Sequence, residues 1–160
     1  MNIDEEIAAV RKSANRAAII VVVVLFVAFA LLACSPGRTF FTGIVHVVEL
    51  VQAVLVCSTA LMGLSGLMII ETKRTKVTGV TGLSSNDIFE KIKAINTIRS
   101  LEVAHVFLRW TITLPIVSVI FSGSWFMFNN PVLIIGTLAA FLAQICLFIW
   151  GLGFSDFLPS

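Results

Sequence analysis

Residues 17–34 read AAIIVVVVLFVAFALLAC, a run from Ala17 to Cys34 with no charged side chain. In water, the β-branched block Val21-Val22-Val23-Val24 favours a strand. In hydrocarbon an isolated strand leaves its backbone N–H and C=O groups unsatisfied, whereas a helix bonds them internally. About 20 apolar residues in a helix cross a hydrocarbon layer of roughly 30 Å. The run therefore reads as a membrane-spanning helix. Working outward from it, three further apolar stretches meet the same requirement: Gly43 to Ile70, Ala104 to Ser122 and Pro131 to Trp150.

Composition agrees with that reading. Hydrophobic residues make up 58% of the 160-residue chain and charged residues 12%. Ordinary globular domains carry roughly half and roughly a quarter, respectively. A small water-soluble domain cannot hide that much apolar surface, because area grows too fast relative to volume. The net charge of +2 gives no basis for a nucleic-acid partner.

All but one of the 11 Lys and Arg residues fall on the same side of the four spans. Arg11, Lys12 and Arg16 precede the first. Lys73, Arg74, Lys76, Lys91, Lys93 and Arg99 lie between the second and third, with Arg109 just inside the third. Only Arg38 falls in the first hairpin, so the positive-inside rule puts both termini and residues 71–103 on the cytoplasmic side. Trp110, Trp125 and Trp150 then all fall at membrane interfaces, where indole rings settle. The expected fold is an all-α integral membrane protein, one domain over 1–160. Its four transmembrane helices (17–34, 43–70, 104–122 and 131–150) form an N-in/C-in bundle. The expected localisation is a bacterial inner membrane, with a mitochondrial one as the alternative.

Local signals refine the ends. Asp4 is placed to cap an amphipathic first helix whose Ile3, Ile7 and Val10 share a face. Turn formers occupy Thr78-Gly79-Val80-Thr81-Gly82, and a helix start follows at Ser84-Ser85-Asn86-Asp87 with Glu90 three beyond Asp87. Ile88, Ile92 and Ile95 then recur at helical spacing, which predicts a short amphipathic helix on the cytoplasmic surface, either separate from the third span or continuous with it. Leu31-Leu32-Ala33-Cys34 resembles a bacterial lipoprotein signal. The apolar run also suffices as an uncleaved signal anchor, and that is the reading expected here.

Polar residues inside the spans are the candidates for function. His46, Glu49 and Gln52 share a broad face of the second helix, continued by Ala53, Thr59, Ala60 and Gly63. Charged groups in hydrocarbon face protein or water. Glu49 is therefore expected to fix helix register against another subunit. Its alternative role is a proton- or cation-handling carboxylate in a small homo-oligomeric channel or coupled transporter. Glu102, His105 and Arg109 predict a structural pairing ladder at the cytoplasmic interface, with Thr113 on the same face. Small-residue surfaces for close helix packing occur at Thr59 and Gly63, at Ser118 and Ser122, and at Gly136 and Ala140. Gln144 is placed to hydrogen-bond across such a surface.

No catalytic, cofactor or metal site is expected. His46 and His105 lie near opposite ends of the spans and cannot share one haem iron. Cys34, Cys57 and Cys146 show no ligand spacing. No nucleophile elbow, metalloprotease pair or phosphate loop occurs. The expected function is a non-catalytic subunit of a larger inner-membrane complex, of the secretion, conjugation, respiratory or motor kind. Its partners are membrane lipids and other membrane protein subunits, hetero- or homo-oligomeric.

Overall fold

The computed structural model of the chain describes residues 3–34, 47–82, 87–128 and 130–155. Among the described residues every regular element is helical: α1 (Ile3–Cys34), α2 (Val47–Gly82), α3 (Ile88–Phe128) and α4 (Pro131–Ser155). All four are long and apolar enough to cross a membrane. His46 lies outside the described residues, as do the first residues of the expected second span.

Helix runs well past the apolar cores. α2 continues through Thr78–Gly82, so the expected turn formers are absorbed into its last turns. α3 begins at Ile88 and proceeds without a break to Phe128, so the segment before Ala104 is one helix with the span that follows. At 1.5 Å per residue α3 is about 60 Å long, roughly twice a hydrocarbon core. Its start follows the sequence signal: Asp87 Oδ1 accepts the Phe89 N–H at 2.9 Å, with Glu90 in the first turn. Asn130 serves α4 in the same way, accepting the Val132 N–H at 3.1 Å with Pro131 in the first helical position. α1 begins at Ile3, which puts Asp4 inside its first turn rather than ahead of it.

The helices alternate in direction. Arg11 meets Glu102 and Phe26 meets Phe121, so α1 and α3 are parallel. Lys76 meets Glu102 while Ser65 meets Thr111, so α2 runs against α3. Phe107 stacks on Trp150 while Gly136 faces Phe121, so α4 also runs against α3. The start of α1, end of α2, start of α3 and end of α4 therefore share one end of the bundle, called here the basic end. α3 is the hub; α1 and α2 make no packing contact with each other among the described residues.

Buried positions on α3 follow a three-four spacing: Leu101, Ala104, Leu108, Thr111, Pro115, Ser118 and Ser122. That repeat is the seam of left-handed helix packing. The α2 residues facing it recur every seven, at Val51, Ser58, Ser65 and Thr72, all buried. α4 contributes Thr137, Ala140, Gln144 and Leu147, also buried. Gly136 and Ala140 thus pack inside the bundle, and a Cβ on Gly136 would lie 2.7 Å from the Phe121 ring. Ser118 and Ser122 are internal as well. α1 docks through Ala18 onto a cluster of Phe107, Leu114, Ala143 and Leu147.

The outside is apolar. Ile20, Val24, Val56, Leu67, Ile116 and Ile120 are all at least half exposed, whereas Ser58, Ser65, Thr111 and Gln144 are fully buried. This distribution is the reverse of a water-soluble bundle and is compatible with an integral membrane protein.

Gln144 accounts for the polar centre. Pro115 has no N–H, so the Thr111 carbonyl one turn earlier loses its helical donor. Gln144 Nε2 donates to that carbonyl at 3.0 Å and to the Ser58 carbonyl at 2.8 Å. Its Oε1 accepts the Ser58 hydroxyl, so one side chain joins α2, α3 and α4. Thr111 Oγ1 adds a 2.6 Å link to Ser65 Oγ. Gln144→Leu strands the Thr111 carbonyl and the Ser58 hydroxyl and is expected to cost about 1–3 kcal/mol. Pro115→Ala restores an N–H at the break, so the cost of Gln144→Leu is expected to shrink in that background. Equilibrium unfolding of the four proteins of this cycle in detergent measures the coupling; strict additivity would refute the assignment.

Candidate functional site

Two features stand apart from ordinary bundle packing: a clasp of charges at the basic end, and a polar, small-residue face on the outside of α2.

The clasp is centred on Glu102. This residue is 5% exposed, on α3 two residues ahead of the apolar span that begins at Ala104. Arg11 of α1 donates to Oε2 through Nη2 at 3.0 Å and Nε at 3.2 Å. Lys76 of α2 donates to Oε1. One carboxylate thus ties together two helices that do not pack on each other. Beyond it, Arg99 pairs with Glu6 against Ile7, Ile95 and Ile98. Further toward the middle of the bundle, the Trp110 indole N–H donates to Asn15 Oδ1 at 2.8 Å. Together these contacts fix α1 lengthwise along α3.

The expected ladder is therefore rearranged. Glu102 takes its partners from α1 and α2 and is buried, instead of pairing along its own helix with Arg109 and reaching water. Arg109 is exposed, and His105 is partly buried beside Glu102. Arg11, Lys76, Asn15 and Thr72 were not singled out by sequence reasoning. Arg11 lies 91 residues from Glu102, and no periodicity links the two. A buried acid flanked by an excess of cations was the available signal.

The second feature is the outer face of α2. Glu49, Gln52, Ala53, Thr59, Ala60 and Gly63 are all exposed. This face points away from the seam residues Val51, Val54, Ser58 and Ser65. Thr59 satisfies its hydroxyl on its own helix, at the Leu55 carbonyl. Nothing lies within 4 Å of the position a Cβ on Gly63 would take. Among the described residues the Thr59 and Gly63 surface is therefore not used for packing, unlike those at Ser118 and Gly136. Among the described residues no group of His, Cys, Asp and Glu is arranged to hold a metal ion.

Neutralising the clasp tests its mechanical role. Glu102→Gln leaves Arg11 and Lys76 facing each other without a carboxylate and is expected to cost on the order of 1–3 kcal/mol. Solvent access to both cations keeps the loss toward the low end. Thermal unfolding in detergent, with proteolysis of α1 as a second readout, checks this; an unchanged midpoint and unchanged cleavage would contradict it.

Set against known protein families, curated proteins and solved structures, the chain matches none, so its role rests on the residues described above.

Proposed function

We propose that this chain is a non-catalytic subunit of a larger protein complex in an inner (cytoplasmic) membrane, with both termini and residues 71–103 in the cytoplasm. The single observation that carries the reading is the outward polar and small-residue face of α2. An amide such as that of Gln52 loses its hydrogen bonds when turned into hydrocarbon, at a cost of about 2–7 kcal/mol if none is replaced. A neighbouring helix restores those bonds and packs closely against Thr59, Ala60 and Gly63. Gathering of the basic residues at one end supports the orientation, through the positive-inside rule.

Glu49 belongs to that face, in the first turn of α2. Its role in this reading is to hold register against the neighbour through hydrogen bonding, without cycling protons.

Gentle extraction from the native membrane, followed by native mass measurement and identification of co-purifying chains, tests the proposal. Unlike chains at a fixed ratio are the expected result. A homo-oligomer alone would contradict it and move the assignment to a Glu49-centred pore, with ion flux as the next assay. Within the complex, Glu49→Gln is expected to keep assembly and function, and Glu49→Leu to weaken both. Normal assembly with lost function in the Gln variant would overturn the register role.

A further inference from the structure

Between α1 and α3 at the basic end lies a cleft of about 670 Å³, lined by Arg11, Lys12, Asn15, Arg109, Trp110 and Thr113 among others. A second cavity of about 220 Å³ shares Arg11 and Arg109 with it and adds Lys73, Lys76, Glu102 and His105. The larger volume falls within the range of about 300–1,000 Å³ typical of ligand sites. Glu102 engages Arg11 and Lys76, while Lys12, Lys73 and Arg109 form no ion pair among the described residues. The two cavities therefore present a surplus of positive charge.

We propose that this cleft binds a phosphate ester, the headgroup of an anionic phospholipid. Three features argue for it. Arg109 lines both cavities and forms no ion pair among the described residues, and a guanidinium fork matches phosphate oxygens in geometry and charge. The Trp110 ring, held by Asn15, lines the same cleft at the level where indoles meet headgroups. From there apolar surface continues along both helices. On α3 the stripe Arg109, Thr113, Ile116 and Ile120 passes from charge to exposed isoleucine, and on α1 Lys12 and Asn15 lead to exposed Ile19 and Val23. A headgroup seated among the cations leaves its acyl chains along these stripes, an arrangement a free phosphate cannot use. Basic pockets between spanning helices on the cytoplasmic side are suited to such headgroups.

This inference rests on the bundle spanning a membrane and not on its having protein neighbours, so failure of the complex assignment leaves it intact.

The test uses the full chain, delipidated in a neutral detergent, with lipid retention read by native mass spectrometry. The probes are phosphatidylglycerol and phosphatidylcholine with identical acyl chains, and inorganic phosphate as a competitor. The wild type is expected to retain phosphatidylglycerol at least about tenfold more strongly, given the attraction each basic residue contributes. The double variant Lys12→Gln/Arg109→Gln is expected to lose that preference with unchanged helix content. Should it fail to fold, the single changes Lys12→Gln and Lys73→Gln, both at exposed positions, are each expected to reduce the preference about fivefold. Equal retention of the two lipids, or a preference that survives these substitutions, would overturn the site. Displacement of the lipid by an equal concentration of inorganic phosphate would overturn the lipid as its ligand.

Discussion

The bundle depends on one requirement: inside hydrocarbon, every backbone polar group needs a partner within the protein. Pro115 breaks that rule locally by withdrawing the donor for the Thr111 carbonyl. Gln144 repairs it from a different helix and uses the same amide to hold Ser58 on a third. In water such a group would compete with solvent, and its net worth would be modest. In a dry interior leaving it unmade carries the desolvation cost of the stranded group, about 1–3 kcal/mol. Polar satisfaction at the centre therefore does what apolar contrast does in a soluble core, since lipid tails are as apolar as the helices they surround.

α1 lies outside that network and is held by other means. Along the span it relies on close contact, with Ala18 set against Phe107 and Leu147. At the basic end it relies on charge, through Arg11 on Glu102 and Glu6 on Arg99. The two modes suit their surroundings. Close packing works where there is no water, and ion pairs with solvent-accessible cations avoid the full desolvation penalty of a buried pair. The surplus of positive charge around Glu102 follows from the same economy: one acid suffices to fasten two helices, and the remaining cations stay available to anions.

Much of the architecture was legible in the sequence. The described part of each apolar run lies in a helix, Asp87 begins α3, and Gly136, Ala140, Ser118 and Ser122 pack inside as small-residue surfaces should. The continuation of α2 through Thr78–Gly82 was not legible, because turn propensity is a weak prior once a long helix is already propagating. The same limit applies to Glu49, Gln52, Thr59 and Gly63. A helical wheel shows that they share a face but not whether that face looks inward or outward. The seven-residue recurrence of Val51, Ser58, Ser65 and Thr72 does mark the inner face, since a seam needs that period. The partners of Glu102 depend on which helices become neighbours in space, which spacing along one chain does not encode.

The central claim is that another protein covers the outer face of α2. The most direct test places a photo-activatable residue at Gln52, Thr59 or Gly63 and irradiates cells before the membrane is disrupted. Adducts to a different polypeptide at these positions are the predicted result. Adducts only to lipid, or only to a second copy of this chain, would contradict it.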